Sequence, residues 1–195
     1  MGAPHSDLQL DALREVANIG SGHAATALAS MLGCPVDLSV AAAQLLPLRE
    51  AIESVGPAEL EVRAVLLPTA GAIEGLVLLL FASESGNALC SLLGVDGDPE
   101  MRASCLGEIG NILGASYLGA VAALTGLALE PQPPQVLADM LGAIVSSALV
   151  AGDAGAEEAL LLDSQLTVEG AECGFDFVFV PGRAGIGEVL GRLGI

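Results

Sequence analysis

The sequence predicts an α+β protein built as a pseudo-two-fold duplicated unit, with a central, mainly antiparallel sheet and two long helices that carry the polar site residues. Three observations lead there. Asp11, Glu15 and Asn18 recur as Ser104, Glu108 and Asn111 with the same internal spacing, and the offset, 104 − 11 = 93, is about half of the 195-residue chain. Both sets fall within long segments of helical apolar periodicity. Paired apolar runs parted by turn residues read as one adjacent hairpin in each half, which favours mainly antiparallel pairing over a doubly wound sheet.

The first element is a helix from about Leu8 to Leu32, stopped by Gly33 with Pro35 beyond. At 100° per residue, Leu10, Leu13, Ala17, Gly20, Ala24, Leu28 and Met31 form a core stripe, and Asp11, Glu15, Asn18 and Gly22 form the opposite, solvated face. Gly20, Ser21 and Gly22 sit inside this pattern with no P-loop lysine after them, so they read as places of close helix packing. A strand follows at Val36 to Val40, then a loop around Pro47, a short polar helix near Leu48 to Ser54, and a hairpin of Glu59 to Leu67 with Ile73 to Ala82. Ser83 is the expected cap of a helix from Glu84 to Leu93 that Gly94 closes. Asp96 to Pro99 is the expected turn between two repeats, about 1–97 and 98–195, merged into a single domain with one sheet and one core.

The second repeat follows the same plan. A helix from about Met101 to Leu124 turns Leu106, Ile109, Leu113, Tyr117, Ala120 and Leu124 inward and Ser104, Glu108, Asn111 and Ala115 outward. A proline-rich loop at Pro131 to Pro134, a helix from about Val136 to Val150, strands at Ala159 to Val168 and Phe175 to Val180, and a final helix at Ile186 to Leu193 complete it.

Composition narrows the function. With no Lys, 6 Arg and 24 Asp plus Glu, the formal charge is −18, and such a surface repels a phosphate backbone, so no nucleic-acid partner is expected. Cys34, Cys90, Cys105 and Cys173 show no C-x-x-C pair and no zinc-like His spacing, and read as small buried hydrophobes in a reducing cytosol. Met1 to Asp7 lacks a basic stretch followed by an apolar one, so a cytoplasmic location is expected. Ile109 to Leu129 is uncharged and long enough to span a bilayer. It is rich in Gly and Ala, carries Asn111, Ser116 and Thr125, and has no flanking Lys; a buried helix is expected and a membrane partner is not.

Glu and Asn three residues apart project side by side from a helix. A carboxamide both donates and accepts hydrogen bonds and so can hold a water at a set angle, while a carboxylate can grip a Lys or Arg of a partner. Together they suit the hydrolysis of an already activated phosphoryl group, where alignment of the attacking water dominates. Asn is also a poor mid-helix residue, so its double occurrence lacks a folding rationale. His23 has no triad-like neighbours, and Tyr117 lies on the core stripe, where packing explains it.

The strings Asp11 to Leu28 and Ser104 to Tyr117 resemble the two active-site helices of the CheC family of CheY-P phosphatases, within the CheC, CheX and FliY group of chemotaxis proteins. The likeness extends over nearly the whole chain, and its motif is Asp or Ser, then Glu, then Asn, with a Pro 23 positions after the Asn. Ser104, Glu108, Asn111 and Pro134 satisfy it fully; the first copy has Ala41 where the Pro would stand. The resemblance implies hydrolysis of the aspartyl phosphate on the response regulator CheY. Asn18 or Asn111 would orient the water, Glu15 or Glu108 would dock a Lys of CheY, and Asp11, Ser104 and Pro134 would support the motif. No cofactor of its own is implied, since the Mg2+ belongs to the partner regulator. The resemblance also implies a partner, the receptor deamidase CheD, for which the expected helix from Val136 to Val150 with Asp139 is the candidate contact. A non-enzymatic adaptor that regulates CheD is therefore the alternative.

Overall fold

Both long helices are bounded by matched signals. In the computed structural model, which describes residues 6–151, 158–182 and 185–195, helix α1 spans Asp7–Leu32. It opens on a capping box: the Ser6 hydroxyl accepts the Gln9 N–H, and the Gln9 side chain accepts the Ser6 N–H. After β1 (Val36–Pro47), α2 (Leu48–Val55), β2 (Glu61–Gly71), β3 (Gly75–Ala82) and α3 (Ser83–Leu92) comes the second long helix, α4 (Pro99–Thr125). Asp98 caps it by accepting the Glu100 N–H, and Pro99 takes the first turn, where its missing N–H costs nothing. Gly33 and Gly126 end the two helices in the left-handed region, at φ 69° and 71°, which glycine alone enters without a Cβ penalty.

The remaining elements are β4 (Leu129–Pro131), β5 (Gln135–Met140), α5 (Leu141–Ala151), β6 (Glu158–Val168), β7 (Ala171–Pro181) and α6 (Gly185–Leu193). All strand pairs are antiparallel, in the order β1-β6-β7-β3-β2-β4, with β5 also on β2. The order is the same from either end when the halves are exchanged. Each half gives its hairpin to the sheet and lays its first strand against the other half's hairpin, so β1 borders β6 while β4 and β5 border β2. The predicted α+β fold and its pseudo-two-fold are therefore present.

Alternation along the strands gives the sheet two apolar faces. Phe81, Phe175, Phe177 and Phe179 meet α1, α3, α4 and α6 through Leu13, Leu28, Leu89, Leu113, Tyr117 and Val189. Val62, Ala64, Leu80, Leu161 and Val178 meet α2 and α5 through Ala51, Leu141 and Ile144. Helix α4 is long and apolar enough by composition to cross a membrane, but half of its most apolar window is buried inside the protein. The four cysteines are free thiols, two buried and two half-buried. Burial, followed by the neighbouring Cys90, pushes Cys105 up to about 12, which keeps it a thiol.

Several local expectations are corrected. Strand β1 does not stop at Val40 but runs to Pro47, so no loop surrounds that proline; its register shifts between Val40 and Ala42, leaving Ala41 as a bulge. Pro134, 93 positions after Ala41, falls in the break between β4 and β5. A proline has no N–H for a ladder, so the strand that is only kinked in the first half is interrupted in the second. The helix expected from Val136 begins only at Leu141, because Gln135–Met140 satisfies the outer hydrogen-bonding edge of β2. Ser83 is the first residue of α3 and makes no capping bond. Met31 and Leu124, predicted to be buried, are 44% and 47% exposed at the ends of their helices. Gly22 has open space around it and serves no close packing.

Gly20 does serve it. A Cβ there would lie 2.9 Å from both the Tyr117 Cα and its ring. Gly20→Ala should therefore destabilise by about 1–3 kcal/mol as overpacking. Gly22→Ala, on the same helix with open space, should stabilise by about 0.5–1 kcal/mol through helix propensity. Denaturant midpoints of the two variants check the contrast.

On the α2/α5 face, Asp176 of β7 lies directly across from Asp163 of β6. Burial first and the Asp163 charge second lift its carboxyl from 3.8 to about 6. Because the folded value exceeds the unfolded one, charged Asp176 destabilises the fold at neutral pH, and stability is regained as pH falls through about 6 towards 3.8. Asp176→Asn should add roughly 1–2 kcal/mol at pH 7.5, after discounting for its exposed fraction, and the gain should vanish near pH 4 in paired denaturation curves.

Candidate active site

The i, i+3 spacing places each Glu beside its Asn on the side of the helix turned away from the sheet. Glu15 and Asn18 are exposed on α1; Glu108 is exposed and Asn111 half-buried on α4. None of the four makes a hydrogen bond or ion pair among the described residues, so their polar atoms are free for a visitor. Ser104, one turn before Glu108, is likewise exposed. The next turn beyond each Asn carries a small residue, Gly22 or Ala115, which leaves room for a surface to approach the carboxamide.

The two faces differ at one position that sequence reasoning missed. Arg14 holds Asp11 at 3.0 Å in the first copy, whereas residue 107, its counterpart in the second, is a buried glycine facing Val136. The i, i+3 acid–base spacing was the available signal. Glu15 therefore has a resident cation nearby, and Glu108 has none at the equivalent position. Pro134 precedes β5, whose Val136 packs at Gly107, one residue before Glu108; this ties the proline's loop to the second face.

A buried joint holds the helices in fixed register. Ser21 donates to the Ala17 carbonyl at 3.0 Å, and its oxygen lies 2.9 Å from the Tyr117 hydroxyl, which is left as the donor. Burial raises the Tyr117 pKa, while hydrogen bonds to Ser21 and Ser164 oppose the rise. The ring packs on Phe177 at 4.6 Å between centroids. Tyr117 thus links α1, α4 and the sheet, as its place on the core stripe predicts. His23 is exposed on α1. Asp139, expected on a helix, instead lies exposed on edge strand β5, opposite Val62, where its carboxylate accepts the Met140 N–H at 2.7 Å. Among the described residues, no three His, Cys, Asp or Glu side chains are grouped to hold a metal ion.

These features define a pseudo-symmetric scaffold that offers a carboxylate and a carboxamide, twice, to a docking surface. The chain belongs to the CheC-like family. That family's model matches residues 8–40 and 101–138, two stretches that each contain one helix face and strand residues that follow it. The chain is 36% identical over 167 residues to the CheY-P phosphatase CheC of Bacillus subtilis, covering 81% of this chain and 79% of that protein. Among solved structures, Thermotoga maritima FliY superposes with a TM-score of 0.80 at 17% identity, over 97% of this chain and 98% of that one. CheX from the Borrelia burgdorferi CheX–CheY–BeF3–Mg complex superposes with a TM-score of 0.54 at 18% identity, over 87% and 97%. Both structural likenesses establish the shared fold.

Proposed function

We propose that this protein hydrolyses the aspartyl phosphate of the chemotaxis response regulator CheY, with one active face on each long helix. The observation that carries the reading is the pair of unpartnered Glu/Asn sets at equivalent places, in a chain 36% identical to a protein named for that activity. Glu15 or Glu108 pairs with a lysine of the regulator and sets the pose. Asn18 or Asn111 then reaches the phosphoryl group and holds a water in line with it, accepting from the water through its carbonyl oxygen. The regulator brings the acyl phosphate and its Mg2+, so the electrophile is activated before docking. A hundredfold acceleration needs only ~2.7 kcal/mol. One well-placed hydrogen bond supplies that much. A complex of CheX, a structural neighbour, with CheY supports the choice of partner. The test is phosphate release from the cognate phosphorylated CheY: acceleration over spontaneous loss supports the reading, and an unchanged rate refutes it.

We propose a second surface as the contact for CheD. Asp139 and the half-exposed Met140 stand together where β5 turns into α5. Asp139→Lys should abolish retention of CheD in a pull-down while phosphate release continues; retention by the variant would remove this contact.

A further inference from the structure

Building on the phosphatase reading, we infer that Leu8 and Met101 are apolar anchors that dock the phosphorylated regulator beside the Glu/Asn faces. They are the two most exposed large hydrophobic side chains among the described residues, at 65% and 57%, and they lie 101 − 8 = 93 positions apart, the offset of the site residues themselves. At 100° per residue, Leu8, Asp11, Glu15, Asn18 and Gly22 fall within a sector of about 80° on α1, and Met101, Ser104, Glu108, Asn111 and Ala115 do so on α4. Each anchor therefore stands on the site face, about 10 Å before its Glu and about 15 Å before its Asn along the axis.

The occupant follows from size and charge. Holding one water against a small acyl phosphate requires only the Asn and its immediate surroundings, whereas a stripe of about 15 Å with an apolar end matches the footprint of a folded protein. The stripe carries Asp11, Glu15 and Glu108, and the neighbouring Arg14 is paired with Asp11, so it complements a basic protein surface better than a free phosphate compound. At 65% and 57% exposure, these side chains bury little apolar area within the fold itself. Burying it under a partner removes apolar area from water only in the complex.

The test uses full-length protein and cognate CheY phosphorylated by a small phosphodonor. Leu8→Ser combined with Met101→Ser should raise KM at least about tenfold, the factor that ~1.4 kcal/mol produces, with kcat and the melting temperature unchanged. Leu8→Met combined with Met101→Leu should restore the wild-type KM. A wild-type KM in the Ser variant overturns the anchors and leaves the phosphatase intact, whereas no acceleration by the unmodified protein refutes the phosphatase itself. A wild-type KM together with loss of a wild-type dimer in sedimentation overturns the inference and assigns the stripe to a second copy of the chain.

Discussion

Replacing Asn18 and Asn111 together by Ala is expected to reduce the acceleration of CheY-P decay about a hundredfold, to near the spontaneous rate. On the proposed mechanism the carboxamide both accepts from the water and donates to a phosphoryl oxygen, so its loss removes an interaction that strengthens in the transition state. On that mechanism such a loss lowers kcat and leaves KM, to which the retained docking residues contribute, in place. Neither Asn has a partner among the described residues. Ala is also the better helix residue, by up to ~0.7 kcal/mol, so the melting temperature should hold or rise. Of the single variants, Asn18→Ala should retain the larger share of activity, because the second face has Pro134 and no cation at the position of Arg14. Steady-state phosphate release on the three variants measures all of this.

Tyr117→Ala should have the largest effect on stability, about 3–5 kcal/mol, from a total of only ~5–15 kcal/mol for a typical domain. The side chain is 3% exposed, packs on Phe177 at a tilt, fills the space left by Gly20 and bonds Ser21. Ala leaves a cavity where α1 crosses α4, and both faces lose their fixed register together. Tyr117→Phe keeps the ring and removes only the hydroxyl; Ser21 remains bonded to the Ala17 carbonyl, so the cost falls to about 1 kcal/mol. Chemical denaturation of the two variants separates packing from hydrogen bonding.

Elements governed by local chemistry were readable from the chain. Gly33 before Pro35 marks a helix end through backbone rules that need no distant partner, whereas Asp98 and Pro99, expected in a turn before a helix from about Met101, are the cap and first residue of α4. The first hairpin was plain in outline, because the Gly71 to Gly75 turn parts two apolar runs too short for helices, although β2 continues through Pro68 to Gly71 instead of stopping at Leu67 and β3 begins at Gly75 instead of Ile73. What escaped was decided at a distance. Val136 to Met140 has enough apolar residues for a helix turn, yet the unpaired edge of β2 claims its backbone. The far half of β1 is strand for the same reason, since β6 pairs with it as far as Pro47. Met31 and Leu124 keep the core periodicity but lie beyond the covering layer. The site residues were legible because repetition marks them twice; the Asp11–Arg14 pair was not, since Arg14 has no counterpart in the second copy.

The most direct measurement of the central claim is single-turnover decay of phosphorylated CheY under saturating wild-type protein, each single Asn→Ala variant, and the double variant. Two independent faces predict that the accelerations of the single variants sum to that of the wild type, and that the double variant, still folded by circular dichroism, decays its partner no faster than buffer. A folded double variant that works at the wild-type rate would contradict the account.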